Sequence, residues 1–129
     1  MDAFTTHGAF SWSELMTSDP KSATEFYSAL FGWTIDTMPM PGGDYHVVKV
    51  GDAAIGGIMT QPPDAAAMPP HWGSYVTVSD VDAIAARCAE LGGKLVFGPQ
   101  DIPGVGRFAV LLDRQGAALN VITYAPPAA

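Results

Sequence analysis

The sequence predicts an α+β fold: two tandem βαβββ modules whose strands form a curved mixed sheet with a concave cup. Three observations predict it. The chain repeats weakly at an offset of 61 residues, so that Leu15-Met16-Thr17-Ser18-Asp19 falls on Val76-Thr77-Val78-Ser79-Asp80, Leu30 on Leu91 and Gly32 on Gly93. Both copies carry the same helix punctuation. In both, the helix is followed by segments of β character joined by turn residues.

The first module covers about residues 8–60. Its opening strand leads to Asp19, a good N-cap, and to Pro20, which suits the first helical position because its missing N–H would be unpaired there anyway. Ala23, Phe26, Tyr27 and Leu30 follow helical spacing on one face, and Gly32 supplies a left-handed stop. Strand segments follow at Trp33 to Thr37, Tyr45 to Val50 and Ala53 to Met59, the last two joined at Gly51-Asp52. A proline-bounded stretch at about 61–70 reads as a linker. In the second module, about 71–124, Asp80 caps a helix with Ile84, Cys88 and Leu91 inward and Gly92-Gly93 as its stop. Lys94 to Phe97, Phe108 to Leu112 and Ala117 to Thr123 are the following strands, with Arg114-Gln115-Gly116 as the last hairpin turn. The N-terminus around His7 and the tail after Ala125-Pro126-Pro127 are expected to be loose.

Composition narrows the function classes. Apolar residues make up 48% of the 129, enough for a packed core, and no apolar run approaches a membrane span. The net charge of −7, with six Lys and Arg, opposes binding to nucleic acid or to an anionic membrane. A lone cysteine, Cys88, permits no internal disulfide and fits a helix core in a reducing compartment. No basic segment at the N-terminus leads into an apolar stretch, so a cytoplasmic location is expected. No catalytic triad spacing, phosphate-binding glycine loop or CxxC pair is present.

The run Trp12-Ser13-Glu14-Leu15-Met16-Thr17-Ser18-Asp19-Pro20, with Ala23, Phe26-Tyr27 and Leu30-Phe31-Gly32-Trp33, resembles the glyoxalase / bleomycin-resistance / dioxygenase family of the vicinal oxygen chelate superfamily. Gly56-Gly57-Ile58-Met59, Trp72, Tyr75 to Asp80, Leu91-Gly92-Gly93, Gly106-Arg107 and Asp113 to Gly116 extend the resemblance over about residues 8–124. Within that superfamily the chain is most similar to a poorly characterised glyoxalase-like subgroup of bacteria. The superfamily's metal enzymes place ligands on the first and last strand of each module. The resemblance carries those positions to Trp12 and Gly73, to Gly56 or Gly57, and to Asn120. Only Asn120 offers an oxygen, whereas a transition metal wants three or four imidazole, carboxylate or thiolate donors. The resemblance therefore implies a container without the usual metal site, and no cofactor is expected.

Within the cup, Glu14 is the candidate catalytic residue. It lies two positions after Trp12 on the same strand face, and burial among aromatic groups would suit it to proton transfer. A structural Glu satisfied by an arginine or a backbone N–H is the competing reading. Trp12, Trp72 and Tyr75 are candidate aromatic walls, with core packing as the alternative for each. Tyr75 shares strand parity with Gly73 and Thr77 and is the second-module counterpart of Glu14. Arg107 could pair with Glu14 or take an anionic ligand group, and Asn120 completes the candidate ligand contacts.

The leading expectation is a protein that binds or sequesters a small organic ligand, with Glu14 available for its transformation. One alternative is a metal-dependent lyase or dioxygenase with displaced ligands drawn from His46, His71 and Glu14. Another is an interaction domain whose cup is filled by its own side chains. A homodimer is expected, because a concave sheet is costly to leave wet.

Overall fold

The computed structural model of the chain describes residues 1–40, 43–62 and 69–125. Part of the predicted linker (63–68), the end of the tail (126–129) and residues 41–42 lie outside the described residues. The element order is β1 (Phe10–Thr17), α1 (Pro20–Phe31), β2 (Thr34–Met38), β3 (Tyr45–Val50), β4 (Ala53–Thr60), β5 (His71–Thr77), α2 (Val81–Glu90), β6 (Lys94–Ile102), β7 (Gly106–Leu112) and β8 (Ala118–Tyr124). It is the βαβββ pattern twice over, as the repeat predicts. No helix among the described residues is long and apolar enough to cross a membrane.

The chain forms two compact units. The first is Trp12–Gly73, and the second combines Met1–Ser11 with Ser74–Ala129. In the first unit the strand order is β2-β3-β4-β1, with β1 and β4 parallel and the other pairs antiparallel. The second has β5-β8-β7-β6 with the same pattern, β5 and β8 being parallel. The strands of each unit are therefore of mixed direction, with one helix against one face.

Both helices begin as their sequences dictate. The Asp19 carboxylate accepts the Ser22 N–H at 3.1 Å, and Asp80 accepts that of Ala83 at 3.2 Å. Gly32 closes α1 at φ 74°, a left-handed conformation that glycine adopts without steric cost, and its N–H reaches the Ser28 carbonyl at 2.8 Å. The first core joins Leu15, Val48 and Ile58 to Ala23, Tyr27, Trp33 and Ile35. The second joins Val78, Val81, Ala109, Leu111 and Val121 to Val76, Ile84 and Cys88. Cys88 thus packs in the helix core as expected.

Several expectations are corrected. Phe26 and Leu30, read as inward, are mostly exposed, because the stripe of α1 that meets the sheet is Ala23 and Tyr27. A short helix over a small sheet covers one stripe, and Phe26 and Leu30 form the neighbouring one. Leu91 is likewise exposed, since it already caps α2 rather than extending its buried face. Strand β6 runs on to Ile102 instead of ending at Phe97. Gly98-Pro99 sits where its register with β7 shifts, so a turn-like dipeptide marks a bulge within an outer strand. The N-terminal segment is tied down. Gly8 N–H donates to the Thr77 carbonyl, Thr77 N–H to that of Ala9, and Ser79 N–H to His7 Nδ1 at 2.9 Å.

Candidate functional site

Alternation along β1 decides which side chains meet. Leu15 points into the core beneath α1, so Trp12 and Glu14 project from the opposite face of the first unit. Glu14 retains only 8% of its exposure. Its register partner on β4 is Gly57, and a Cβ at Gly57 would collide with the ring and hydroxyl of Tyr45. The missing side chain is what lets the Tyr45 ring lie across the sheet to Glu14. At Gly56, by contrast, a Cβ would collide with the backbone carbonyl of Ser13, so that glycine has a close-packing role.

The Tyr45 hydroxyl lies 2.7 Å from Glu14 Oε2, and Trp12 Nε1 lies 2.9 Å from the same hydroxyl. An indole N–H can only donate, so the phenol oxygen accepts from Trp12 and its own proton goes to the carboxylate. Trp12, Tyr45 and Glu14 form one directed chain of hydrogen bonds on a face away from the helix. Sequence reasoning found Trp12 and Glu14 by parity but missed Tyr45, 31 residues beyond Glu14. The available signal was Gly57, a side chain removed from the interior of a strand.

In the second unit, Tyr75 is buried and pairs in register with Asn120, both on the face opposite α2. Asn120 Nδ2 donates to the Ser74 carbonyl at 3.3 Å. Phe97 and Phe108, ring centroids 5.7 Å apart, belong to the same face through the Phe97–Val110 and Val110–Asn120 pairs, and strand alternation alone did not single them out.

Two expected site residues stand elsewhere. Trp72 lies on the α1 side, its Nε1 donating to the Tyr27 hydroxyl at 3.3 Å and its ring packing edge-on against Tyr27 and Trp33. Strand parity explains this, because Trp72 is three residues from Tyr75 and so faces the other way. Arg107 pairs not with Glu14 but with two aspartates of its own unit. Its Nε and Nη2 grip both oxygens of Asp82 on α2 at 2.8 and 3.0 Å, and its Nη1 reaches Asp101 at 3.1 Å. Ala109 and Leu111, of the same parity, sit in the α2 core, which fixes Arg107 on the helix side. The guanidinium hydrogen bonds hold the Asp82 carboxyl below the usual carboxylate range, and the two aspartates push the Arg107 guanidinium further up. A shallow depression of about 540 Å³ adjoins these groups at the start of α2, but Asp82, Asp101 and Arg107 in its walls are already paired with one another, and Asp80 caps the helix.

The histidines do not gather. His46 shares parity with core residue Val48, opposite Glu14, and meets Thr37 Oγ1 at 2.9 Å. His71 Nδ1 lies 3.0 Å from the Pro69 carbonyl. Among the described residues no group of three or more His, Cys, Asp or Glu is placed to hold a metal ion. The positions to which the resemblance carries the superfamily's metal ligands hold Trp12, glycines and Asn120, and at Gly57 a side chain would collide with the Tyr45 ring. This donor set does not fit a transition metal.

Comparison with known proteins gives a consistent picture. The profile of the Glyoxalase/Bleomycin resistance protein/Dioxygenase superfamily matches residues 9–121. CFP32 of Mycobacterium tuberculosis, provisionally named a glyoxylase, is 47% identical over 120 residues, covering 92% of this chain and 45% of its own. DnrV of Streptomyces peucetius, named an anthracycline biosynthesis protein, is 32% identical over 127 residues, 88% of this chain and 46% of its own. The chain thus spans about half the length of these curated relatives. Among solved structures, methylmalonyl-CoA epimerase from Mycobacterium tuberculosis superposes with a TM-score of 0.71 at 18% identity, covering 95% of this chain and 92% of that one.

Proposed function

Since the chain belongs to the glyoxalase/bleomycin resistance/dioxygenase superfamily, we propose that it binds a small, partly aromatic organic molecule without a metal, on the Trp12–Tyr45–Glu14 face of its first unit. One observation carries this reading: a carboxylate with 8% exposure, on the face turned from the helix, is oriented by a tyrosine hydroxyl that a tryptophan N–H orients in turn. Such a chain fixes rotamers and lone-pair directions in advance, which lowers the ordering cost of binding. An aromatic wall beside an acceptor suits a flat ligand that carries an acidic O–H or C–H. The name of DnrV supports including hydroxylated polycyclic aromatics among the candidates. Glu14 engages the polar end of the ligand, and it is the group that would take up a proton if the ligand is transformed.

The test is calorimetric titration with a panel of hydroxylated naphthoquinones and anthraquinones. Some members bind the parent protein, and Glu14→Gln and Tyr45→Phe each weaken that binding by roughly tenfold or more, the loss of one charge-assisted hydrogen bond. Trp72→Phe, on the other side of the sheet, leaves it unchanged. Binding that is indifferent to Glu14→Gln and Tyr45→Phe, or absent across the panel, would reject the proposal.

A further inference from the structure

We infer that the outer face of α1 is the surface through which two copies of this chain pair. Whereas α2 buries Val81 and Ala85, α1 buries none of its twelve residues. Phe26, Leu30 and Phe31 are 61, 58 and 59% exposed, and Trp72 beside them 40%. They are one patch, because the rings connect: Phe26 meets Tyr27 at 5.1 Å, Tyr27 meets Trp72 at 5.4 Å and Trp33 at 5.7 Å, and Phe31 meets Trp33 at 5.1 Å. Apolar residues scattered singly over a surface are ordinary, whereas a contiguous patch of a few hundred Å² is often functional.

Area and charge identify the occupant. At roughly 200 Å² for a fully exposed side chain of this kind, the four residues present roughly 400 Å² of apolar surface. A standard interface buries about 800 Å² on each partner, a little over half of it apolar, so one such patch supplies most of what one side of a stable dimer needs. The chain carries a net charge of −7, yet α1 has one Lys and one Glu, Lys21 and Glu25. Two copies can therefore meet here without opposing like charges, and a self-complementary helix-on-helix contact closes into a two-fold dimer. The remaining acidic surfaces repel one another, and salt screens that repulsion over a distance of about 8 Å. Pairing through this face therefore strengthens with salt, whereas capture of a basic partner weakens with it.

The experiment is sedimentation equilibrium of the intact chain over a concentration series in low and high salt. A reversible dimer that tightens with salt is expected. Phe31→Glu and Leu30→Glu each raise its dissociation constant by at least ~30-fold, the scale of an interface hot spot. Val96→Glu, an equally exposed apolar residue on β6, leaves it unchanged. Circular dichroism confirms that each variant is folded. Diluting the parent protein provides a readout that needs no variant, because uncovering Trp72 shifts tryptophan emission to the red. A monomer at every concentration and salt, a dimer indifferent to both α1 variants, or emission unchanged on dissociation would overturn the inference. Because Glu14 and Tyr45 lie on the opposite face of the unit, ligand binding and pairing can fail independently.

Discussion

Replacing Gly57 with alanine tests how the Glu14 site is assembled. The new Cβ would occupy the position of the Tyr45 hydroxyl and adjoining ring carbons. Those atoms are the far end of a side chain, so the ring swings aside rather than the strand. Swinging it breaks the hydrogen bond to Glu14 and the one from Trp12. The bond to a carboxylate contributes about 1.5–3 kcal/mol and the neutral one about 1 kcal/mol. Removing a strand glycine returns about 0.5–1 kcal/mol through lower unfolded-state entropy. Gly57→Ala therefore destabilises by about 1.5–3.5 kcal/mol. Urea unfolding measures the loss, and a double-mutant cycle locates it. In a Tyr45→Ala background the space is empty and the bonds are already gone, so Gly57→Ala costs less than about 0.5 kcal/mol there. Equal costs in the two backgrounds would refute the claim that Gly57 exists to admit Tyr45.

Gly56→Ala should be worse than Gly57→Ala, since its Cβ meets backbone of Ser13 that cannot rotate away, and unfolding should show a loss of about 3 kcal/mol or more. Asp19→Ala and Asp80→Ala each remove a helix N-cap and cost about 1 kcal/mol in the same assay. Asp82 is held ionised below the usual carboxylate range by Arg107, so its contribution is complete above that range and is lost as pH falls through its lowered value. In Arg107→Gln, the Asp82 titration followed by NMR moves back up toward the usual carboxylate range, and the acid limb of the stability profile becomes shallower.

The modular fold was legible because its signals are local. Asp19, Pro20 and Gly32, and Asp80 in the second copy, act within a few residues of themselves, and both cap geometries are present. The resemblance read from those same motifs agrees with the family profile over residues 9–121. Trp12 and Glu14 were legible through the two-residue period of a strand. Tyr45 was not, because its approach depends on the parallel pairing of β1 with β4 and on the space above Gly57, which no local pattern encodes. Parity alone argued against Trp72 as a wall beside Tyr75, and the structure follows parity. For Arg107 parity gave the face but not the partners, since Asp82 and Asp101 come to it from α2 and β6. The rotation of α1 that leaves Phe26 and Leu30 outside was hidden for a related reason: two adjacent apolar stripes satisfy the helical period equally well.

Elemental analysis of the purified chain, stripped with a chelator and then dialysed against zinc, manganese, nickel or iron(II), tests the metal-free ligand site most directly, with the melting temperature read alongside. The account predicts no stoichiometric metal and the same melting temperature in every sample, with Glu14→Gln behaving as the parent. One tightly held metal per chain that raises the melting temperature and is lost in Glu14→Gln would contradict it and make Glu14 a ligand.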